Sequence, residues 1–553
     1  MPAGPELRMI RGMLRGGRPI DYDRYWRACT LALFGALLLY VAAGFDQHGI
    51  SNDEPVQHTY GRLLVEFYRS GFTDLRAFRY VNLYLYGGLF DIIAAWLEPH
   101  SSLSVWDLRH LLTAAFGVSA IHACYLTARL LGSRRAGFLA ALLLALTGAW
   151  SGALFTHTKD IPFGTAMIWA VYFGTRLVQQ LPRPSWGSVA GAGISVGAAL
   201  GLRVGGLFAG LYLGAGVLAV LLARGPDLRT SVRGLFASAP RLGVALLAAI
   251  AVMGFSWPWA LMGWHNLFDA ATRFSHFSFD MMTELDGQLI KIGQVPATYL
   301  SRYLLIRLPE LLLAGLVSAG VTTFLALRHR PRDWASVAVW TPLLLAACFP
   351  ILFSLATRPA LYNGVRHFSF VLPPLAILGG IGLDRALELL RPRRVASAAF
   401  LATLLAIGAD NLLVLARLHP YEYVAYNHLV GGAAGAHERY EGDYWSDSLR
   451  EASQMLNRLL RDELGNAPAG LAVAVCAESV QATTFLDPRF RVVRDWPSAD
   501  FYVSAIQTRC DRALGGTVIG EITRDGVPLA VIKDRRGLVG HERRVLGEDK
   551  PAP

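Results

Sequence analysis

Residues 29–46 read CTLALFGALLLYVAAGFD, an unbroken apolar run that closes on Asp46. A helix crossing the hydrocarbon core of a bilayer needs about 20 mostly apolar residues, and this run is long enough. No small-residue cleavage pattern follows it, so it reads as a retained span rather than a signal peptide. Ten more runs of the same character lie at 105–131, 136–154, 161–180, 187–203, 205–223, 240–262, 306–327, 334–355, 368–388 and 396–416. The stretch 187–223 reads either as one long segment or as a hairpin. Gly201, Gly205 and Gly206, with Arg203 between them, favour the hairpin. Gly193, Gly197, Gly201 and Gly205 recur every fourth residue, a spacing that lets helices approach closely. The expected fold is an all-α polytopic membrane protein of about eleven spans.

Composition agrees. The chain has 553 residues, 53% hydrophobic and 17% charged, where a soluble domain carries about 25% charged residues. Its mean hydropathy is +0.37. These values exclude a disordered chain, a small disulfide scaffold and an ordinary cytosolic enzyme. The net charge of +11 would suggest a nucleic-acid partner on a soluble chain, but it sits elsewhere. From Arg417 onward there are 17 basic and 19 acidic residues, so the positive excess belongs to the hydrophobic part. It clusters at every second junction: Arg8, Arg11, Arg15, Arg18, Arg24 and Arg27, then Arg134 and Arg135, Arg183, Arg224, Arg229 and Arg233, Arg328, Arg330 and Arg332, and Arg391, Arg393 and Arg394. Cytoplasmic loops carry such an excess. Residues 1–28 are therefore expected inside. The loops 47–104 and 263–305 and the tail 417–553 are expected outside, and no nucleic acid is expected as partner. Arginine outnumbers lysine heavily, since only four of the 52 basic residues are lysines. That usage fits a GC-rich bacterial source and hence a bacterial cytoplasmic membrane.

The tail reads as a helix over 446–464 followed by β-like runs at 471–476, 490–493, 501–505, 517–522 and 529–532, a small extracytoplasmic α/β domain. Cys476 and Cys510 stand in it. In an oxidising compartment they can pair, and the sequence leaves a bridge or two thiols open. Cys29, Cys124 and Cys348 read as packing residues.

Ionisable residues near membrane depth are functional candidates by default, and the unusual ones here fall on the external side. Asp53 and Glu54 lie just past the first span, with Pro55 next and His58 nearby. One carboxylate suits a general base. Equally, Asn52 or Asp53 with Pro55 is the start signal of a helix. Lys159 beside Asp160 occupies a short external turn, as a compact phosphate-binding ammonium or as a local ion pair. Arg203, Arg358, Tyr362, Arg366 and His367 also lie outside, where the charge bias asks for no cations; phosphate explains them well, as does snorkelling. The aromatic segment 419–427, with Glu422 and Tyr423, and the segment 440–445 are too polar for an interfacial belt alone. They read as substrate contacts or as docking of the tail over a site. Carboxylates beside cations at a membrane boundary suit a lipid-linked sugar phosphate, with a carboxylate taking the proton of an acceptor hydroxyl. The chain has no Gly-rich phosphate loop of the nucleotide-binding types.

At these residues the sequence resembles a known group. The Asp53-Glu54 pair is similar to the acidic pair of protein O-mannosyltransferases and related GT-C glycosyltransferases. Lys159-Asp160-Ile161-Pro162-Phe163 resembles bacterial members of the family 39-like group, which includes aminoarabinose transferases. Tyr362-Asn363-Gly364-Val365-Arg366-His367-Phe368 and the segment 419–445 resemble one bacterial branch. The resemblance implies a GT-C fold and inverting transfer of a monosaccharide from a polyprenyl-phosphate donor to a protein, lipid or glycan acceptor outside the cytoplasm. It implies Asp53, Glu54 and Asp160 as catalytic, and Lys159, Arg203, Arg366 and His367 as donor-phosphate contacts. His58, Arg358, Tyr362, Glu422 and Tyr423 remain as candidate substrate contacts. Relatives differ in metal use, so a divalent metal ion stays open as cofactor. The competing readings are a transporter or flippase, and a ligase or polymerase of diphosphate-linked glycans.

Overall fold

A computed structural model describes residues 22–225, 227–275, 281–329, 333–462 and 470–538. Arg8, Arg11, Arg15, Arg18, Arg330 and Arg332, and the last residues of the expected helix 446–464, lie outside the described residues.

Among the described residues, eight helices are long and apolar enough to cross a membrane: Asp23–Gly44, Val105–Leu131, Asp160–Gln179, Val204–Arg224, Leu228–Ser256, Glu310–Arg328, Arg366–Leu390 and Arg394–Leu418. The other three expected spans are shorter. The run at 136–154 is the helix Arg134–Ala145, followed by a single turn at Gly148–Ser151. The run at 187–203 is Trp186–Leu200, and that at 334–355 is Trp334–Ala338 plus Thr341–Thr357. Each stops where local chemistry breaks the ladder. After Ala145, Gly148 and Gly152 press onto the backbone of Glu422 and Tyr423, which leaves no room for a side chain. Pro342 restarts the helix Thr341–Thr357 in its first turn, the position a proline tolerates.

The hairpin reading of 187–223 is correct, with the break at Gly201–Gly206. The fourfold glycine spacing has a direct cause. A Cβ on Gly193, Gly197 or Gly201 would lie 2.4–2.5 Å from the Ala245 carbonyl, the Ala249 carbonyl or the Ser256 side chain. The helix Leu228–Ser256 lies that close.

In the loop after the first span, Glu54–Arg69 is an amphipathic helix that buries Tyr60, Leu64 and Phe67. A hairpin, β1 (Met282–Leu285) and β2 (Gln288–Lys291), stands in the loop 263–305, which gave no strand expectation. Its signal was present: Asp286 and Gly287 both take positive φ, as the central pair of a tight hairpin turn does.

The tail forms the expected sheet. Strands β3 (Leu471–Cys476), β4 (Phe490–Val492), β5 (Phe501–Ala505), β6 (Thr517–Arg524) and β7 (Val527–Asp534) stand in the order β4-β3-β5-β7-β6. β3 runs parallel to β4 and β5, while β7 is antiparallel to β5 and β6. Val473, Phe501 and Ile532 belong to the same buried apolar cluster as Trp150 and Leu312 of the helical part, so the sheet is packed onto the bundle rather than tethered to it. Cys476 and Cys510, 34 residues apart, are bridged. Opening a loop of that size costs about 3–4 kcal/mol. Cys476→Ser should therefore lower the unfolding midpoint of the tail, followed by limited proteolysis in rising denaturant. A tail equally resistant with and without reductant would contradict this.

Candidate active site

The helix Glu54–Arg69 begins one residue after Asp53, with Pro55 in its first turn. Asp53 occupies the capping position, but its carboxylate bonds no backbone N–H of that helix. It instead accepts a hydrogen bond from Nη2 of Arg366 at 2.5 Å. Nε of the same guanidinium donates to Oδ2 of Asp160 at 3.0 Å, and Nη2 of Arg203 pairs with Oδ1 of Asp160 at 2.5 Å. Arg366 thus ties the loop after the first span to the start of the helix Asp160–Gln179. The face of Arg366 lies 3.9 Å from the ring centre of Trp445, a cation–π contact that fixes its plane.

The two carboxylates are in different positions. The Asp160 side chain is 2% exposed and held by two guanidinium groups, whereas that of Asp53 is 38% exposed. Oδ1 of Asp53 accepts no hydrogen bond among the described residues. Asp160 is spent on holding cations; Asp53 has a free edge.

Lys159 forms no ion pair with its neighbour Asp160. Its Nζ lies 3.8 Å from the ring centre of Tyr86. Burial lowers the ammonium from 10.5 to about 8, against the pull of Asp53 and Asp91. Lys159 is therefore charged below pH 8 and neutral above it. Binding of a phosphate ligand should weaken with a midpoint near pH 8, and Lys159→Arg should remove that limb, measured by ligand titration across pH 6.5–9.5. The stability effect has the opposite sign. Between about 8 and 10.5 the unfolded chain binds this proton and the folded chain does not, so this residue's contribution to stability rises with pH.

Asp53, Lys159, Arg203 and Arg366 line a cavity of about 330 Å³, and Asp160 is bound to two of them from outside its lining. Its polar lining is Asp53, Gln57, Asn82, Lys159, Arg203, Tyr362, Arg366 and His367, and its aromatic lining includes Phe163, Phe208 and Phe370. Nδ1 of His367 is buried without a hydrogen-bond partner, and its ring packs edge-on against Tyr362 at 4.5 Å. Lys159, Arg203 and Arg366 stand against Asp53 and Asp160, leaving one positive charge in excess. Both oxygens of Asp160 and Oδ2 of Asp53 are held by guanidinium groups. Among the described residues, the group with metal-ligand spacing is Glu310, Asp410 and His428, and none of these lines the cavity.

Five candidates lie elsewhere. Glu54 is fully buried, accepting from the Ser51 backbone at 2.7 Å and facing His110 at 3.4 Å and Arg109 at 3.8 Å. Successive helical residues point about 100° apart, which turns Glu54 away from the cavity that Asp53 enters. His58 sits beside Glu98 at 3.8 Å. Arg358 is exposed, capping the helix Thr341–Thr357 with φ 49°. Glu422 is bound by His419 at 2.6 Å and Tyr40 at 2.9 Å, and the Tyr423 hydroxyl donates to Asp443. None of the five lines the cavity, so the reading of Glu54 as catalytic and of the other four as substrate contacts is not supported by their placement.

Sequence reasoning missed Gln57, Asn82 and Tyr86. Gln57 was readable, because it stands four residues after Asp53 and so shares its side of the helix. Its Oε1 accepts from Thr158 at 2.6 Å and from Arg109 at 3.2 Å. Asn82 and Tyr86 lie in irregular sequence that carries no such signal.

The tail also holds the first loop from behind. Asp447 accepts from the Gly49 N–H and meets His48 Nδ1 at 3.3 Å. Arg450 donates to the His48 carbonyl at 2.8 Å. Gln481 donates to the Ile50 carbonyl and, at 2.9 Å, to that of Trp445. A Cβ on Gly49 would strike the Asp447 carbonyl at 2.5 Å. The backbone leading into Asp53 is thus set by residues of the far end of the chain.

Residues 104–257, which include Lys159, Asp160 and Arg203, match the family model described as dolichyl-phosphate-mannose-protein mannosyltransferase. The Lys159–Phe163 turn, which resembles bacterial members of the family 39-like group, lies within the matched residues, and Asp53-Glu54 lies outside them. Among solved structures, ArnT from Cupriavidus metallidurans in the apo state is similar at 18% identity, over 91% of this chain and 97% of that one, with a TM-score of 0.47. The same protein bound to undecaprenyl phosphate is similar at 15% identity over the same shares, with a TM-score of 0.47. The apo oligosaccharyltransferase of Archaeoglobus fulgidus is similar at 13% identity, over 88% of this chain and 70% of that one, with a TM-score of 0.48. No curated protein matches the chain.

Proposed function

We propose that this multi-pass membrane chain is a GT-C-type glycosyltransferase. It moves a monosaccharide from a polyprenyl-phosphate donor to an acceptor hydroxyl of a protein, lipid or glycan on the extracytoplasmic side. The observation that carries this reading is the charge balance of the site: three cations of the cavity lining against Asp53 in that lining and Asp160, which is bound to two of them. The excess of one matches the single negative charge of a sugar phosphodiester, and the aromatic side chains of the same lining suit the first isoprene units.

In this reading the donor phosphate lies against Lys159, Arg203 and Arg366, with His367 within the same wall. The acceptor hydroxyl approaches the free edge of Asp53. Asp53 takes its proton while the acceptor oxygen bonds to the anomeric carbon. The bond from that carbon to the phosphate oxygen breaks, and the electron pair leaves with the lipid phosphate. Charge grows on the phosphate as the bond breaks, so cations fixed there stabilise the transition state more than the ground state. A single displacement inverts the anomeric carbon. Asp160 is a positioning residue: it keeps two guanidinium groups aimed without touching substrate. The family match over 104–257 supports the transferase reading. Transport would ask for ionisable groups near the bilayer midplane, and the charged residues of this cavity gather at one boundary.

Purified protein incubated with polyprenyl-monophosphate and polyprenyl-diphosphate sugars tests the proposal. Release of polyprenyl phosphate from the monophosphate donor alone is expected. Turnover of the diphosphate donor would favour the ligase reading, and solute counterflow into vesicles would favour transport.

A further inference from the structure

A second cavity, of about 790 Å³, lies between the helices Tyr22–Gly44 and Val105–Leu131. It shares no residue with the candidate active site. The two helices run antiparallel there, so the start of one meets the end of the other: Phe34 packs against His122 with ring centres 5.7 Å apart. Arg27, near the start of the first, and Arg129, in the last turn of the second, both line the cavity. Trp26 packs on Phe138 at 5.4 Å, and aromatic side chains of this kind mark the headgroup level of a bilayer. That places Arg27 at the depth of lipid phosphates.

Deeper in, the wall turns apolar through Leu31 and Phe34. His122 lies seven residues before Arg129, roughly 10 Å further into the membrane at 1.5 Å per residue, and it is exposed. Arg27 and Arg129 are exposed too and form no ion pair among the described residues. The third arginine of the cavity, Arg134, pairs with Asp23 at 2.9 Å. Unpaired cations facing lipid are costly unless an anion covers them, and basic pockets between spans are known sites for anionic headgroups. The segment before Tyr22 is the wrong occupant: it carries Arg8, Arg11, Arg15 and Arg18 against Glu6 and Asp21, and is itself cationic.

We propose that this groove binds an anionic glycerophospholipid, with its phosphate between Arg27 and Arg129 and an acyl chain along Leu31 and Phe34. The inference rests on the spans alone and is independent of sugar transfer. The test is native mass spectrometry of the full-length protein titrated with phosphatidylglycerol and, separately, phosphatidylcholine. Retention of phosphatidylglycerol over phosphatidylcholine is expected. Arg27→Gln/Arg129→Gln should weaken phosphatidylglycerol binding roughly thirtyfold, from the usual contribution of two basic residues near a phosphate, and Arg27→Lys/Arg129→Lys should restore most of it. Equal retention of both lipids, or an unchanged double variant, would overturn the proposal. Displacement of phosphatidylglycerol by undecaprenyl phosphate at equal concentration would also overturn it, assigning the groove to the carrier lipid. Should the double variant fail to fold, Arg129→Gln alone is scored by the same criteria.

Discussion

Asp53→Asn should cut sugar transfer by about 10²–10⁴-fold, the usual contribution of a positioned general base, while the protein still binds its donor. Asparagine keeps the size of the side chain and removes the proton acceptor. The loss of one negative charge raises the cavity's excess from one to two, so donor phosphate should bind as tightly or more tightly than before. Arg366 retains its bond to Asp160, so the fold should survive. Single-turnover transfer from a labelled donor, read beside donor affinity, separates the two effects. Full turnover in the variant would remove Asp53 as base. Lost turnover with equally lost donor binding would make it a positioning residue.

Arg366→Gln should act on stability and binding together. The guanidinium is buried and holds Asp53 and Asp160 at once. Removing one partner of a buried pair costs about 3–5 kcal/mol, and the lower end applies here because Arg203 still pairs with Asp160. The cavity's net charge falls to zero. A hydrogen bond to a charged group contributes about 1.5–3 kcal/mol, so donor affinity should fall by roughly ten- to a hundredfold. Arg366→Lys discriminates the two roles. A point charge restores attraction for phosphate but cannot fork between two carboxylates, so it should recover binding better than thermal stability. Donor affinity unchanged in Arg366→Gln would take Arg366 out of the site.

The spans were legible because bilayer crossing is a one-dimensional demand on length and hydropathy. The tail strands were legible because their apolar runs end in turn residues. The site was legible to the extent that it breaks the charge rule: Lys159, Arg203 and Arg366 stand out as cations on the side that the arginine bias leaves empty, and all three line the cavity. Rotational phase and distant partners were not legible. Asp53 and Glu54 are neighbours with opposite fates, decided by which one meets Arg366, 313 residues away. Glu422 and Tyr423 looked like substrate contacts because they are polar and aromatic beside a span. They are consumed by Tyr40, His419 and Asp443, contacts that only the folded chain specifies. Gln57 was within reach of helical spacing, whereas Tyr86 was not.

The clamps on the first loop have a consequence for how the protein is made. Gly49 and Asp447 are 398 residues apart, and Ile50 and Gln481 are 431 apart. A growing chain exposes the loop after its first span and lacks these two clamps until the last span is inserted and the tail has followed. A partly synthesised chain would carry Asp53 and Lys159 without the tail's hold on the backbone that leads into Asp53. Under the proposed transfer reading, a truncated or stalled product in the membrane is expected to be silent rather than partly active.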